Sequence, residues 1–235
     1  MNLLLFNAAD KISGDEIRIC DQRLDHLREV LKAKPGDTLR VGELNGLMGQ
    51  GELLALNTES ATLRIDLTAP PPPKVPIILV VALPRPKMLR RILRNAAEFG
   101  VAELHLINSY RVEKSFWQTP VLNAQQIERY LLQGLEQARD TVLPTVHLHR
   151  RFKVFAEDVC PGLCVGKKAL LAHPGDHPPC PQRNGANVLL VIGPEGGFIP
   201  YEVEKLQSAG CEAVSLGARI LRVENAVTSL LGKLI

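Results

Sequence analysis

Residues 188–198 read VLLVIGPEGGF, in which five consecutive branched apolar residues are followed by a turn with three glycines. A short apolar run of this kind is typical of a strand that is buried on both faces of a parallel sheet. Glycines allow a backbone to approach a ligand closely, although they also occur in ordinary loops. Ligands of open α/β sheets bind beyond the carboxyl ends of strands, so the turn at 193–197 is a candidate binding site. Its spacing matches neither a P-loop nor the Rossmann fingerprint, which disfavours an ATPase or an NAD enzyme.

The sequence around this stretch alternates further apolar runs with helical patterns. Further strands are predicted at residues 77–83, 103–107 and 169–172. Apolar residues at helical spacing predict helices at 87–99, 123–138, 200–209 and 224–234. This alternation is typical of an α/β domain with a largely parallel sheet.

A proline-rich segment, APPPPKVP at residues 69–76, divides the chain. Prolines cannot donate to a strand ladder and favour an extended backbone, so we predict a linker at 70–76 between domains at 1–69 and 77–235. In the first domain, short alternating runs at 38–41 and 61–67 predict strands, and one helix is expected near 24–31. Asn45-Gly46 predicts a hairpin turn. The first domain is therefore expected to be a small β-barrel or sandwich.

Composition excludes several classes of protein. The chain has 235 residues, of which 46% are hydrophobic and 23% charged, so disorder, collagen-like fibres and coiled coils are disfavoured. The net charge of +3 is too small to indicate a polyanionic partner by itself. There is no apolar run of membrane-spanning length, and residues 1–7 do not resemble a signal peptide. We expect a cytoplasmic protein with no membrane partner, whose five cysteines are reduced.

A second motif, LGARILRVENA at residues 216–226, places two arginines and a glutamate among apolar residues. By itself it also fits a loop with solvated arginines and a helix start at which Glu224 complements the helix dipole. Together, GPEGG at 193–197 and LGARILRVE at 216–224 resemble the RsmE-type family of 16S ribosomal RNA uridine-N3 methyltransferases, in the SPOUT superfamily. Matching segments extend in order over essentially the whole chain, at 26–31, 35–37, 98–101, 109–111, 136–144 and 173–174.

The resemblance implies a fold and a cofactor. The expected fold is α/β, with an N-terminal PUA-like RNA-binding β-barrel and a C-terminal SPOUT domain that contains a deep trefoil knot. The expected protein is a homodimer that uses S-adenosyl-L-methionine and acts on ribosomal RNA in the assembled small subunit. The positions that correspond to the family's cofactor site are Leu171, Ala172, His173, Ile192, Gly193, Pro194, Glu195, Gly196, Gly197, Leu216, Gly217, Ile220, Leu221, Arg222, Asn225 and Ala226.

The implied reaction is transfer of a methyl group to N3 of a uridine. A neutral imide nitrogen is a poor nucleophile, so the site must favour loss of its proton and stabilise negative charge on the carbonyl oxygens. Arg219 and Arg222 are candidates for orienting the base or its phosphate, and Glu224 for accepting the proton or orienting an arginine. The chain departs from the family at Asn225, Asn95, Lys32 and Asp140. These departures leave open a divergent paralogue with another RNA target, or a non-catalytic RNA-binding or ribosome-assembly factor.

Charge placement supports an RNA partner. Cations at 87, 90, 91 and 94 share one face of the predicted helix and no acidic residue lies between them, although such a face also occurs simply as a solvated surface. Arg28 and Lys32 form a second basic group beside Arg23 and Lys34. The candidate RNA-binding residues are Arg23, Arg28, Arg85, Lys87, Arg90, Arg91, Arg94 and Arg111.

A metal site is the remaining alternative. Cys160 and Cys164, His173 and His177, and Cys180 have spacings within the range of structural zinc ligands. A predicted strand separates the first pair from the second, and His173 already belongs to a matched cofactor segment. We therefore expect no metal, and keep zinc at these positions as the alternative.

Overall fold

The computed structural model describes residues 2–235. Its internal contacts divide the chain into two compact units. One contains residues up to Pro73 together with Leu132–Leu143, and the other contains Lys74–Leu131 together with Pro144–Ile235. The first unit thus includes a segment, Leu132–Leu143, that the sequence-based division assigned to the second domain. That the chain consists of two domains joined by a linker at 70–76 stays a prediction.

The first unit is built on a five-stranded sheet with the order β1-β3-β4-β5-β2. A short helix, α1 (Gln22–Asp25), continues into a π-helical turn, His26–Val30, which agrees with the helix predicted near 24–31. Buried Phe6, Ile17, Leu27 and Leu53 belong to the core that the sheet encloses. The strands are β1 (Leu4–Phe6), β2 (Glu16–Ile19), β3 (Thr38–Glu43), β4 (Met48–Leu56) and β5 (Ala61–Ala69).

The predicted β-barrel is not closed. Strands β1 and β2 lie at opposite ends of the strand order, and within residues 2–235 they do not pair with each other. All neighbouring strands are antiparallel except β1 and β3, which are parallel. Asn45 adopts a left-handed conformation (φ 60°) between β3 and β4, as expected for the predicted hairpin turn.

The second unit contains a six-stranded sheet with the order β11-β9-β10-β6-β7-β8. Every pair in it is parallel, which confirms the predicted α/β class. The central strand β10 is buried along its whole length, as its apolar sequence predicts. The strands are β6 (Val75–Ala82), β7 (Val101–Ile107), β8 (Thr145–His149), β9 (Lys168–Ala172), β10 (Val188–Ile192) and β11 (Glu212–Val214).

The long helices agree with the sequence prediction to within about one residue. They are α2 (Pro86–Glu98), α3 (Ala124–Ala138), α6 (Pro200–Ser208) and α7 (Val223–Leu234). The sequence prediction missed a helical segment made of α4 (Phe152–Val154), a π-helical stretch (Phe155–Val159) and α5 (Cys160–Cys164). Among residues 2–235, no helix combines the length and apolar character needed to cross a membrane.

Candidate functional site

A cavity of about 380 Å³ lies beyond the carboxyl ends of β9, β10 and β11. These three strands are neighbours in the order β11-β9-β10, so the loops that follow them meet at one edge of the sheet. The cavity is lined by Ala172, His173, Pro174, Gly175, Ile192, Gly193, Pro194, Glu195, Gly197, Val214, Leu216, Gly217, Ala218, Arg219, Ile220, Leu221, Val223 and Ala226.

Glycine conformation shapes this cavity at two positions. Gly197 and Gly217 have φ values of 72° and 102°, a region that side chains with a Cβ rarely adopt. No atom lies within 4 Å of the position that a Cβ would take at Gly217, so the requirement there is purely conformational. Backbone groups of both turns are thereby brought to the cavity wall.

The loop after β11 carries unusually exposed apolar side chains. Ile220 is 80% exposed, and Leu221 and Leu216 are 39% and 37% exposed. All three line the cavity. Adjacent exposed apolar side chains that border a cavity mark a place where a ligand or partner binds.

His173 contributes a polar atom without a partner. Its Nδ1 is buried and makes no hydrogen bond within the described chain. Burial, followed by the nearby His177 and Arg111, lowers the pKa of His173, which keeps the ring neutral at physiological pH. A buried, unpaired ring nitrogen is costly unless a ligand supplies a hydrogen bond.

Most of the predicted cofactor positions meet at this cavity, but four do not line it. Leu171 is fully buried in β9. Gly196 lies in the glycine turn, and its carbonyl accepts a hydrogen bond from the Arg111 guanidinium. Arg222 is the N-cap of α7 and Asn225 lies in its first turns, both exposed. The sequence analysis did not identify Pro174, Gly175, Val214, Ala218 and Val223, which also line the cavity.

Besides Arg222, the candidate catalytic residues are Arg219 and Glu224, which lie in different surroundings. Arg219 is exposed and lines the cavity. Glu224 is buried in the first turn of α7 and is not part of the lining, a position that suits a structural carboxylate at a helix N-terminus. Asn95, one of the departures from the family, donates from Nδ2 to Thr228 Oγ1 at 2.9 Å and so links α2 to α7.

A residue that the sequence analysis missed, Glu202, organises the rim of the site. Its buried carboxylate accepts hydrogen bonds from Ser109 Oγ at 3.2 Å, from the Tyr110 backbone N–H at 2.7 Å and from the Ile199 backbone N–H at 3.1 Å. These bonds hold the segment that carries Arg111 beside the start of α6. The signal in the sequence was a glutamate three residues after the helix N-cap Ile199.

The cations of α2 lie in different surroundings, and one of them, Arg85, has a contact with the glycine turn. Arg85, at the N-cap of α2, lies 3.7 Å from Glu195 Oε1. The guanidinium groups of Arg90 and Arg94 lie 5.9 and 5.5 Å from the centre of the Tyr130 ring. These contacts fix two cations of the row while Lys87 and Arg91 extend from the same helix, both exposed.

Arg23 has a structural role instead. Its guanidinium donates two hydrogen bonds to Asp10, at 2.8 and 2.9 Å, and further bonds to Asp21 and to the Leu5 carbonyl. Because both carboxylates neutralise it, we leave Arg23 out of the candidate RNA-binding residues. Arg28 and Arg111 are exposed.

The alternative zinc set is not assembled. His173 lines the cavity, with its ring centre 5.7 Å from that of His177, and the Cys180 backbone N–H donates a hydrogen bond to the Ser215 carbonyl. Within residues 2–235, no group of three converging metal-ligand side chains includes His173, His177 or Cys180. The intervening strand β9 separates them from Cys160 and Cys164.

Comparison with known proteins agrees with this geometry. A ribosomal RNA small subunit methyltransferase E from Treponema pallidum is 28% identical over 237 residues, covering 96% of this chain and 87% of the relative. The protein of the same name from Synechocystis is 26% identical, covering 97% and 75%. These relatives confirm the resemblance to the RsmE-type family.

The fold also has close structural neighbours. A ribosomal RNA small subunit methyltransferase E from Neisseria gonorrhoeae, crystallised with S-adenosyl methionine, superposes with a TM-score of 0.77 at 19% identity. The superposition covers 98% of this chain and 95% of that one. A family model described as an RNA methyltransferase domain matches residues 71–235, which include every residue of the cavity. The chain therefore belongs to the family of RNA methyltransferase domains.

Proposed function

We propose that this protein methylates N3 of a specific uridine in 16S ribosomal RNA, with S-adenosyl-L-methionine as methyl donor. The observation that carries the proposal is the cavity built from the loops after β9, β10 and β11, in a chain of the RNA methyltransferase family. The relatives named above carry the name of a small-subunit ribosomal RNA methyltransferase, and one of them was crystallised with this donor.

The residues present fit the proposed donor. The apolar side chains of Ile192, Val214 and Leu216 offer a dry wall for an adenine ring, and the glycine turns offer backbone groups to its polar edges. His173 Nδ1 has no hydrogen-bond partner within residues 2–235. A ribose hydroxyl, or a water bound to a carboxylate, would supply one. When bound, S-adenosyl-L-methionine supplies an electrophilic methyl group on a positively charged sulfur.

The chain itself must bind and prepare the uridine. Arg219 is placed at the cavity, where its guanidinium can stabilise negative charge that develops on the uridine carbonyl oxygens. Arg222 is exposed at the N-cap of α7 and is proposed to bind the nucleotide phosphate. Glu224 follows these arginines in the sequence and is buried. We therefore propose that it orients the N-terminal turn of α7 rather than accepting the proton.

The residues proposed to contact RNA are Arg28 in the first unit and, in the second unit, Arg85, Lys87, Arg90, Arg91, Arg94 and Arg111. Helix α2 carries no acidic side chain between Lys87 and Arg94, which favours contact with phosphate groups. Arg111 is held near the glycine turn by its hydrogen bond to the Gly196 carbonyl. This position suits a cation that contacts RNA next to the reacting base.

Finer features of the family complete the proposal. We propose that the curled sheet of the first unit serves as a PUA-like RNA-binding module and that the second unit has the SPOUT fold with its deep trefoil knot. We further propose a homodimer that acts in the cytoplasm on the assembled small subunit. The exposed side chains of Leu216, Ile220 and Leu221 support an additional binding surface next to the cavity.

Two measurements test the proposed function. Calorimetry should detect binding of S-adenosyl-L-methionine to the purified chain. The protein should then transfer a labelled methyl group to small ribosomal subunits from a methylation-deficient strain, and the label should map to N3 of one uridine. Failure to bind the donor would contradict the enzyme assignment. Binding with methylation of another RNA would identify a divergent paralogue, and RNA binding without any transfer would identify an assembly factor.

A further inference from the structure

Three cysteines that the proposed function does not use meet inside the second unit. We refer to Cys160, Cys164 and Cys211 as the thiol cluster. Their sulfur atoms all lie within 4.8 Å of one another, and those of Cys160 and Cys211 are 3.9 Å apart. All three are free thiols. The zinc alternative from the sequence combined Cys160 and Cys164 with two histidines and Cys180. In the structure their partner is instead Cys211, which lies 47 positions after Cys164.

Local structure explains how each thiol reaches the cluster. Cys160 and Cys164 lie four positions apart on α5, so they share one face of that helix. Cys211 follows α6, where its N–H donates to the Leu206 carbonyl at 3.0 Å. Gly210, with φ of 111°, turns the chain at this point, and a Cβ there would lie 3.5 Å from the Cys164 Cβ. The turn thus leaves room for the Cys164 side chain.

A salt bridge joins the two segments that carry the thiols. Lys205 Nζ on α6 lies 2.7 Å from Glu157 Oε1 on the π-helical stretch before α5. Cys160 and Cys211 are buried, whereas Cys164 is partly exposed. The cluster therefore has two fixed, dry ligands and one side open to solvent.

The separation of the two buried sulfur atoms fits the coordination sphere of zinc. Zinc–sulfur bonds of about 2.3 Å in a tetrahedral site place neighbouring sulfur atoms about 3.8 Å apart. The separation of 3.9 Å between Cys160 and Cys211 Sγ is close to that distance. Thiolates are soft ligands that select zinc over the hard cations calcium and magnesium.

A second group of three ligands, Glu103, His105 and His147, is less suitable. The rings of His105 and His147 are stacked, with centres 4.5 Å apart and planes tilted by 23°. A metal ion binds a histidine nitrogen in the plane of the ring, so two stacked rings direct their lone pairs side by side rather than toward one point. A thiolate sulfur has no such planar restriction, so the thiol cluster is the better candidate.

We propose that the thiol cluster binds one Zn²⁺ ion through the sulfur atoms of Cys160, Cys164 and Cys211, with a solvent molecule as fourth ligand. Each cysteine gives up its thiol proton to solvent on binding, and no electron is transferred. The ion would fasten α5 to the junction between α6 and β11. It lies on segments other than the donor cavity, so its binding does not depend on the proposed methylation.

The test is a metal analysis of the full chain, purified with reductant and without chelators. One equivalent of zinc is expected by mass spectrometry. Replacement of zinc by Co²⁺ should give the sulfur-to-cobalt charge-transfer absorption of thiolate ligands. The variants Cys164→Ser and Cys211→Ser should each lose the metal, whereas Cys20→Ser and Cys180→Ser should keep it. Cys164→Ser is the more informative variant because its partly exposed side chain tolerates a hydroxyl.

Each variant is compared with the parent by circular dichroism, so that loss of metal is scored only in a folded chain. If the reduced parent chain takes up neither Zn²⁺ nor Co²⁺, the thiol cluster is a set of packed, uncharged side chains and the proposal is wrong. It is equally wrong if Glu103→Gln and His147→Gln abolish zinc binding while Cys164→Ser and Cys211→Ser do not. A Cys160–Cys211 disulfide in protein purified with reductant would also overturn it.

Discussion

The Glu202 carboxylate accepts a hydrogen bond of 2.7 Å from the backbone N–H of Tyr110, a residue 92 positions earlier in the chain. The same carboxylate binds the Ile199 N–H just after the glycine turn. One buried side chain thus fixes the segment that carries Arg111 next to the turn at 193–197. Three hydrogen-bond donors satisfy this carboxyl group in its buried position.

Replacing Glu202 should therefore affect both stability and the site. Glu202→Ala leaves the N–H groups of Tyr110 and Ile199 without their acceptor, and we expect a loss of about 2–4 kcal/mol in the free energy of unfolding. Donor affinity should fall as well, because Arg111 and the glycine turn are no longer held together. Urea denaturation and calorimetry measure the two effects. Glu204→Ala, an exposed position on the same helix, serves as control and should change neither.

The left-handed backbone at Gly217 gives a second prediction. Gly217→Ala meets no steric obstacle but must adopt φ near 102°, which costs about 1–2 kcal/mol. The loop is expected to relax away from the cavity, so donor affinity should fall about tenfold. Calorimetric titration measures this. Gly232→Ala in α7, where added volume also meets nothing, should leave affinity unchanged; an equal loss in both variants would contradict the role of the loop.

Arg219 and Arg222 provide a matched pair. Only Arg219 lines the cavity, so Arg219→Ala should lower kcat about 100-fold while changing donor affinity little. Arg222→Ala should mainly raise the KM for RNA, because its side chain is proposed to contact phosphate. Steady-state methylation with varied RNA separates the two effects. Similar kcat values for Arg219→Ala and the parent would remove Arg219 from the catalytic site.

The basic face of α2 should appear in the salt dependence of RNA binding. Replacing Arg90, Arg91 and Arg94 by Gln removes the positive charges that are proposed to bind up to three phosphate groups. The slope of log Kd against log salt should become shallower by about 1 for each phosphate group that is no longer bound. Donor binding should persist. The control replaces Lys153, Lys168 and Lys233, three exposed lysines of the same unit, by Gln and thus removes the same charge. Equal slopes in the two triple variants would show that only net charge matters.

His105 should make the protein less stable in acid. Burial, with smaller contributions from His147 and His149, lowers the pKa of His105 to about 4, although Glu103 partly opposes this. The unfolded chain, with a histidine pKa of about 6.5, therefore binds a proton more readily than the folded chain. His105 causes no loss of stability above about pH 6.5. As the pH falls from there toward 4, this group lowers the free energy of unfolding by up to about 3 kcal/mol.

Urea unfolding at pH 7 and at pH 5 measures this loss. The comparison is with His105→Leu, in which the difference in the free energy of unfolding between the two pH values should be smaller. His147→Leu, at a more exposed position, is the control and should retain most of the parent's difference. An unchanged difference in His105→Leu would show that another group is responsible.

The sequence predicted those parts of the fold in which the signal is local. Strand β10 is recognisable because buried central strands are continuously apolar, and α2 because its apolar residues repeat at helical spacing. Strand β8 was missed because an edge strand with the sequence TVHLH has few apolar residues, and β11 because it has only three residues.

The residues of the site also differ in whether the sequence around them carries a local signal. The residues of the two glycine-containing motifs could be identified because each motif is contiguous, whereas Val214 enters the cavity through a short strand without its own signal. Glu202 was missed because a cap glutamate usually binds only its own helix. Cys211 was missed because spacing rules pair cysteines that are near in sequence, and only the fold brings α5 to the end of α6.

The cavity is built from three loops that lie between Ala172 and Ala226, and its lining includes Val223 and Ala226 of α7. A ligand held by these three loops binds only the folded unit, so binding must protect the whole unit against unfolding. At a ligand concentration 100 times its Kd, this protection amounts to about 2.7 kcal/mol. A ligand bound in this cavity therefore holds the three loops and the start of α7 together. A chain that still lacks α7 has an incomplete cavity and is not expected to bind the ligand.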